Sequence, residues 1–318
     1  MLLPGHSVPR ASGEDRAPRR ARRDGGALEH AYRRPSWLPR RSDKFPSPRA
    51  AARAFAVGCD RQRSGASWLR RRGRPVSFED AFRSVEEIDG WLTPQQARLL
   101  YERAARLSPG ARIVEIGSHH GRSTIVLAKA APEAEIVAID PYAKGDEYRD
   151  VLTEEDVRTS DLDRFEANLE LAGVRARVRH VHDFSTDAVR GFEDEIDLLY
   201  IDGAHDLRTA FADIRNWGAL VREGGTMLIH DSFSSVGVTL AELVALFFAG
   251  RFRYVGRSRT LAEYRREHVS WAGRLPNAAL QAAQLPWFAR NVLVKVALVG
   301  RARPLARLLG HQDEVFPY

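Results

Sequence analysis

The chain has 318 residues, with 49 Lys and Arg against 42 Asp and Glu, a formal net charge of +7 and a single cysteine, Cys59. That length holds one large domain or two small ones, and one cysteine excludes an internal disulfide or a Cys-based metal cluster, which fits a cytoplasmic protein. No run of about 18 uncharged apolar residues marks a transmembrane helix.

Residues 1–75 carry 19 basic and 6 acidic residues, so the remainder of the chain is net acidic. This head is rich in Arg, Pro, Ala and Gly and has no sustained 2.0 or 3.6 period. It has too little apolar surface to offset its ordering entropy, and it lacks the apolar core of a secretory signal. Three readings stand open: a solvated basic tail touching nucleic acid or acidic lipid, a transit-like segment, or translated upstream sequence foreign to the native protein. The last is favoured, because the globular pattern starts near Val76 and the only methionines are Met1 and Met227.

Residues 76–107 read as a helical cap, with Phe78, Phe82, Val85, Ile88 and Trp91 at mixed three- and four-residue spacing. Thr93 and Gln96 form a capping pair for a helix over Pro94–Leu107. Strands are expected at Ile113–Ile116, Ile136–Ile139, Arg177–Val181, Ile196–Ile201 and Thr226–His230. Helices are expected at Arg122–Ala131, Val157–Ala172, Asp187–Gly191, Asp206–Val221 and Val238–Ala249, with Phe211 and Trp217 packing. Short apolar strands alternating with helices indicate an α/β fold with a buried parallel sheet, doubly wound with helices on both faces. Phe252–Gly256 and Thr260–Tyr264 suggest a closing strand pair. The polar connection 141–160 is either a lid or a plain insertion. The apolar and basic stretch 285–299 is a helix packed on the core or on a second subunit, as in a homodimer, or one lying on a membrane surface. The resulting division is a head at 1–75, a helical cap at 76–110, a core at 111–265 and a helical extension at 266–318.

The segment Ile113–Thr124 reads as strand, Gly-bracketed turn and helix start. Gly117 and Gly121 permit a tight turn, and the helix behind them offers free N–H groups. The glycine spacing is not that of a dinucleotide turn. Glu115 suits an ammonium group, and Asp140, 25 residues on, stands where a carboxylate bonds a ribose. An amino-acid cation joined to a ribose points to S-adenosylmethionine.

Glu115–Thr124 resembles the first motif, Glu-Ile-Gly-Ser-x-x-Gly-Arg-Ser-Thr, of one branch of the class I S-adenosylmethionine-dependent methyltransferases. His119 takes the place of the usual middle glycine, as is common in that branch. The resemblance implies a Rossmann-like, mostly parallel seven-stranded sheet with one reversed strand. It assigns the cofactor to Glu115, Gly117, Ser118, Gly121, Ser123, Thr124 and Asp140, with Asp183 and Phe184 at the adenine. Asp183 as a helix N-cap is the competing reading. His119 and His120 either touch the substrate or cofactor or are solvated loop residues.

Asp202 and His205 follow one strand, and His230 and Asp231 follow another, on the same expected sheet edge. Asp202 and Asp231 match the strand-end acidic pair of metal-dependent O-methyltransferases, including those acting on antibiotic sugars. Asp202, Asp231 and His230 are therefore candidate ligands for Mg2+ or Mn2+, which would acidify a substrate hydroxyl. Ser232 replaces the Asn of one subgroup. Alternatively His205 or His230 is a metal-free general base, or the acids only brace loops. The expected reaction is O-methylation of a small hydroxylated or sugar-bearing acceptor. Nucleic acid is disfavoured as acceptor, because Asp-Gly-Ala-His replaces the Asn/Asp-Pro-Pro-Tyr/Phe of base amino-methylation. Two further alternatives are a hydroxylase-like relative using Asp202 and His205, and a non-catalytic module associated with a membrane or glycosylation assembly.

Overall fold

The computed structural model describes residues 76–142 and 161–311. The readings for the head and for most of 141–160 fall outside the described residues.

In chain order the elements are α1 (Phe78–Arg83), α2 (Pro94–Ala104), β1 (Arg112–Ile116), α3 (Arg122–Ala130), β2 (Glu135–Ile139), α4 (Asp161–Leu171), β3 (Val178–Val181), α5 (Ser185–Ala188), β4 (Ile196–Ile201), α6 (Leu207–Leu220), β5 (Val221–Ile229), α7 (Val236–Leu246), β6 (Phe252–Ser258), β7 (Leu261–Arg266), α8 (Trp271–Ala282), α9 (Leu285–Val299) and α10 (Arg303–Leu308). The seven strands form one sheet in the order β3-β2-β1-β4-β5-β7-β6. β1 to β5 pair in parallel, and β7 runs antiparallel to both β5 and β6. The expected mostly parallel sheet with one reversed strand is therefore what forms, and β7 is that strand.

The central strands carry apolar runs, Ile136–Ile139, Leu198–Ile201 and Met227–Ile229, because both faces of the sheet are covered there. Side chains alternate between faces. Ile113, Ile136, Leu198 and Leu228 point into a cluster with α2, α3 and α4. Val114, Val137, Leu199 and Met227 point into a second cluster with α6 and α7. Trp217 is fully buried there and Phe211 is partly buried, so both pack as expected.

The cap is two short helices rather than one long pattern. Helix α1 ends at Ser84, and the chain reaches α2 through Gly90, whose φ is +148°. Trp91, expected on the core face, is 73% exposed. The capping pair forms as a full capping box: Thr93 Oγ1 accepts from Gln96 N–H, and Gln96 Oε1 accepts from Thr93 N–H at 2.9 Å. Most other boundaries fall within one to three residues of expectation. Strand β5 is the exception. It begins at Val221, before the Gly224-Gly225 pair, and ends at Ile229, leaving His230 just outside it.

Residues 271–308 form the helices α8, α9 and α10. One face of α9 lies on the core: Trp287 and Phe288 pack against the second cluster. Asn291 Nδ2 donates to Phe233 O at 3.1 Å, and Lys295 Nζ donates to Ser234 O at 3.0 Å. Its other face exposes Leu293, Val296 and Val299. Among the described residues, no helix is long and apolar enough to cross a membrane.

Candidate active site

Strand register sets the site. Ile116 pairs with both Ile139 and Ile201, and Ile201 pairs with Ile229. The next residues, Gly117, Asp140, Asp202 and His230, therefore stand in one row beyond the carboxyl ends of β1, β2, β4 and β5. Backbone bonds extend the ladder through that row: Gly117 N–H donates to Ile139 O, Asp202 N–H to Ile116 O, and His230 N–H to Ile201 O. In a parallel open sheet this edge, where the strand order reverses, is where ligands bind.

Gly117 has φ +85°, and a Cβ there would lie 2.0 Å from the backbone oxygen of Asp202. The glycine is thus required by the neighbouring strand end, quite apart from any ligand. Gly121, at φ +84°, is pressed by the Phe165 ring of α4 and opens α3 without a side-chain cap.

Glu115 is completely buried on β1. Its two carboxylate oxygens accept from the hydroxyls of Ser123 and Thr124 on the first turn of α3. Burial pushes its carboxyl up to about 7, against the pull of those hydroxyls. The sequence points to a ligand ammonium at Glu115; as folded, the side chain has no exposed surface and braces the turn from beneath. Asp140 is half-exposed, and its oxygens accept from His119 N–H and Tyr142 N–H, each at 2.8 Å. Ser118 Oγ is buried at the turn without a hydrogen-bond partner.

Asp183 does not cap α5. Phe184 holds the N-cap position, and Asp183 Oδ1 accepts from Phe184 N–H at 2.9 Å. The Phe184 side chain is exposed, on the β3 end of the same sheet edge. Of the two turn histidines, His120 is not a solvated loop residue: it is buried and its Nε2 lies 3.0 Å from Asp161 Oδ1.

Asp202, His205, His230 and Asp231 do come together. His205 Nε2 is 2.9 Å from Asp231 Oδ2, and the imidazole is more than half exposed while the carboxylate is buried. That bond raises the His205 basicity, with burial opposing it. Burial would raise the Asp231 carboxyl, but the adjoining imidazoles of His205 and His230 outweigh it and hold the group well below the usual carboxylate range. His230 is buried, with Nδ1 3.1 Å from Asp202 Oδ1 and 3.7 Å from Asp231 Oδ1. Burial works against its charge, yet the two carboxylates push it up to about 10. Asp231 sits in the left-handed region at φ +58°, which Asp tolerates better than most residues.

Residues not anticipated from sequence complete the cluster. Tyr200 OH donates to Asp202 Oδ2 at 2.8 Å. Gln96 Nε2 meets His230 Nε2 at 3.1 Å and donates to Thr260 Oγ1 at 2.9 Å. The α2 capping box was readable, but nothing in the sequence aims the Gln96 amide across 134 residues. Ser232 Oγ contacts Ile229 O at 2.8 Å and Glu242 Oε1 at 2.6 Å, so it is spent on the loop and not on the strand-end cluster.

The donor set expected for Mg2+ or Mn2+ does not converge. Among the described residues, Asp202, His230 and Asp231 do not offer three ligand atoms within 4.8 Å of one another. The cavity beneath Asp202, His205 and His230 is about 10 Å³, room for about one water, so an acceptor must approach from the open side of the edge.

Residues 114–232, from β1 to the loop after β5, match the profile of a family described as a methyltransferase domain. The chain is also similar to solved structures. SAH-bound methyltransferase PaMTH1 from Podospora anserina is 13% identical, over 71% of this chain and 99% of that one, with a TM-score of 0.46. An O-methyltransferase from Bacillus cereus in complex with SAH is 17% identical, over 60% and 90%, with a TM-score of 0.41. The O-methyltransferase TomG from Streptomyces achromogenes, involved in tomaymycin synthesis and solved with SAM, is 20% identical, over 59% and 86%, with a TM-score of 0.39.

Proposed function

We propose that this chain, which carries a methyltransferase domain over residues 114–232, is a class I S-adenosylmethionine-dependent methyltransferase that methylates a hydroxyl oxygen of a small hydroxylated or sugar-bearing acceptor, with His205 as general base. S-adenosylmethionine supplies an electrophilic methyl group when bound. The residues at the turn fit it: the buried Ser118 hydroxyl lacks a partner, the first turn of α3 has N–H groups unused by the helix, and Asp140 lies at the β2 end where a ribose would be held.

The observation that carries the reading is the 2.9 Å contact between an exposed imidazole and a buried carboxylate on the cofactor edge. The Asp231 carboxylate at 2.9 Å favours the tautomer with its proton on His205 Nε2, which leaves Nδ1 to receive a proton. As the acceptor oxygen bonds to the methyl carbon, the carbon–sulfur bond breaks and the hydroxyl proton passes to His205 Nδ1. The enzyme contributes alignment of the two reactants and about 10² to 10⁴ in rate from the base. The proton transfer is assigned to His205 alone, since Asp202, His230 and Asp231 do not bring three ligand atoms within 4.8 Å of one another.

The test is S-adenosylhomocysteine formation from a panel of hydroxylated small molecules in excess chelator, with S-adenosylmethionine binding followed by calorimetry. Turnover under chelation, lost in His205→Ala while cofactor binding persists, is the expected result. Activity abolished by chelator and restored by Mg2+ would instead return the metal to the site. Acceptor consumption without S-adenosylhomocysteine would favour a non-methylating, hydroxylase-like reaction.

A further inference from the structure

His119, His120 and Asp161 lie together on the cofactor turn and at the first residue of α4. A nitrogen from each imidazole and one Asp161 oxygen all fall within 4.8 Å of one another. The two rings stack with centroids 3.7 Å apart. The turn is fixed from two sides: Asp140 accepts from His119 N–H, and Asn168 Nδ2 of α4 donates to His120 O at 2.9 Å.

A hydrogen bond between His120 and Asp161 explains one imidazole and leaves the other without a purpose. His119 adopts a left-handed φ of +44°, a conformation that costs about 1 kcal/mol or more in a non-glycine residue, and it brings a second ring nitrogen beside the same carboxylate. Around a tetrahedral ion with bonds of about 2.0–2.2 Å, ligand atoms stand about 3.3 Å apart. The 3.0 Å separation of His120 Nε2 and Asp161 Oδ1 is within a few tenths of that. Two imidazoles and one carboxylate suit a borderline ion of the Zn2+ type and not Mg2+ or Ca2+.

We propose that His119, His120 and Asp161 form a binding site for a divalent transition-metal ion of the Zn2+ class. The site is separate from the Asp202–Asp231 cluster. Three protein ligands leave a fourth position open on the ion, and the ion links the cofactor turn to the start of α4. The proposal does not depend on which acceptor is methylated.

The test uses the full chain, stripped with chelator and dialysed. Zn2+ affinity is measured by calorimetry against a competing chelator, and Co2+ is used as a spectroscopic probe. The expected result is ligand-field absorption of bound Co2+ in the wild type and its loss in H119A and D161N. Zn2+ affinity in those variants falls by more than about tenfold, the scale on which even indirect support of a ligand matters. His119 is exposed, so H119A tests the site without threatening the fold, and thermal melts check D161N. The H205A variant keeps the signal. Absence of Co2+ absorption in the wild type, unchanged Zn2+ affinity in H119A and D161N, or loss of the signal in H205A would each overturn the proposal.

Discussion

Gln96 Nε2 lies 3.1 Å from His230 Nε2, so the side chain that closes the α2 capping box also touches the strand-end cluster. The Gln96 oxygen is held by Thr93 N–H, which turns the amide N–H groups toward His230 and Thr260. An amide N–H can donate only to a ring nitrogen with a lone pair. Gln96 therefore favours a neutral His230 with its proton on Nδ1, beside Asp202. Asp202 and Asp231 favour the imidazolium, pushing the ring to about 10 despite burial. An unmatched buried donor costs about 1–3 kcal/mol, or roughly one to two pK units, which is less than the rise produced by the carboxylates. The charged ring wins, under strain from Gln96.

Replacing Gln96 by Glu removes that conflict. A carboxylate still accepts from Thr93 N–H, as in a Ser/Thr–Glu capping box, and also accepts from His230 Nε2–H. His230 should titrate at least about one unit higher in Q96E than in the wild type, read from imidazole nitrogen shifts by NMR. Thr93→Ala should cost about 1 kcal/mol through the cap and leave the His230 shifts near their wild-type values. Equal titration of His230 in Q96E and wild type would break the coupling.

Asp231→Asn tests the base. His205 must be neutral to accept a proton, and its bond to Asp231 raises its pKa. In the wild type kcat/KM should climb with pH through an inflection above the ordinary histidine value of about 6.5. The Asn variant should shift that inflection down in pH and lower the plateau by about 10². Stability follows the same pair. The His205 contribution is full below about pH 6.5 and lost as pH rises through its raised pKa, while the Asp231 contribution is present above about pH 3.9 and lost as pH falls through its depressed one. A pH–rate profile whose inflection stays in place would remove His205 from the role.

The sheet was legible because buried parallel strands leave continuous apolar runs, and Ile136–Ile139 and Leu198–Ile201 stand out between the helices. The row Gly117, Asp140, Asp202 and His230 was legible too, since each residue follows such a run directly. Partners set by packing were not. Gln96, Tyr200 and Thr260 reach the cluster across the fold, and no periodicity encodes that. The Gly117 requirement was visible, but its cause, the Asp202 carbonyl 2.0 Å from a would-be Cβ, depends on the β1–β4 register. The role of α9 was also hidden, because Asn291 and Lys295 bond backbone oxygens of the loop after Asp231, and backbone atoms leave no trace in a sequence pattern.

Glu242 governs alkaline stability. It is wholly buried, and burial pushes its carboxyl up to about 8 against the hydrogen bonds from Ser232 and Tyr264. Ser232 has one hydroxyl proton for two acceptors, Ile229 O and Glu242 Oε1, so a protonated Glu242 completes the arrangement by donating. The unfolded chain ionises this group near pH 4.3, about the ordinary glutamate value. The folded state therefore loses stability as pH rises from there to about 8, by an amount on the order of a few kcal/mol. A glutamine at this position would supply the donor at every pH. The Glu242→Gln variant should match the wild-type melting temperature near about pH 4.5 and exceed it at about pH 8.5. A melting temperature that falls in parallel for both proteins would refute a buried neutral acid.

Glu115 and Asp140 should separate in their effect on cofactor affinity. Asp140 is partly exposed at the β2 end of the edge, and its carboxylate already orders His119 and Tyr142 through their N–H groups. Converting it to Asn removes a charged acceptor worth about 1.5–3 kcal/mol, so calorimetry should find S-adenosylmethionine bound roughly ten- to a hundredfold more weakly. Glu115 has no exposed surface, and its oxygens are taken by Ser123 and Thr124. Glutamine can keep one of those contacts and avoids ionising a buried carboxyl held up to about 7. E115Q should therefore change affinity by less than about threefold, because less than about 1 kcal/mol is at stake. Its melting temperature should exceed that of the wild type above about pH 7, since the wild type loses stability as pH rises from about 4.3, the unfolded glutamate value, to about 7. If E115Q instead abolishes binding while its melting temperature is unchanged, the carboxylate holds the cofactor ammonium directly, and the turn opens on binding to expose it.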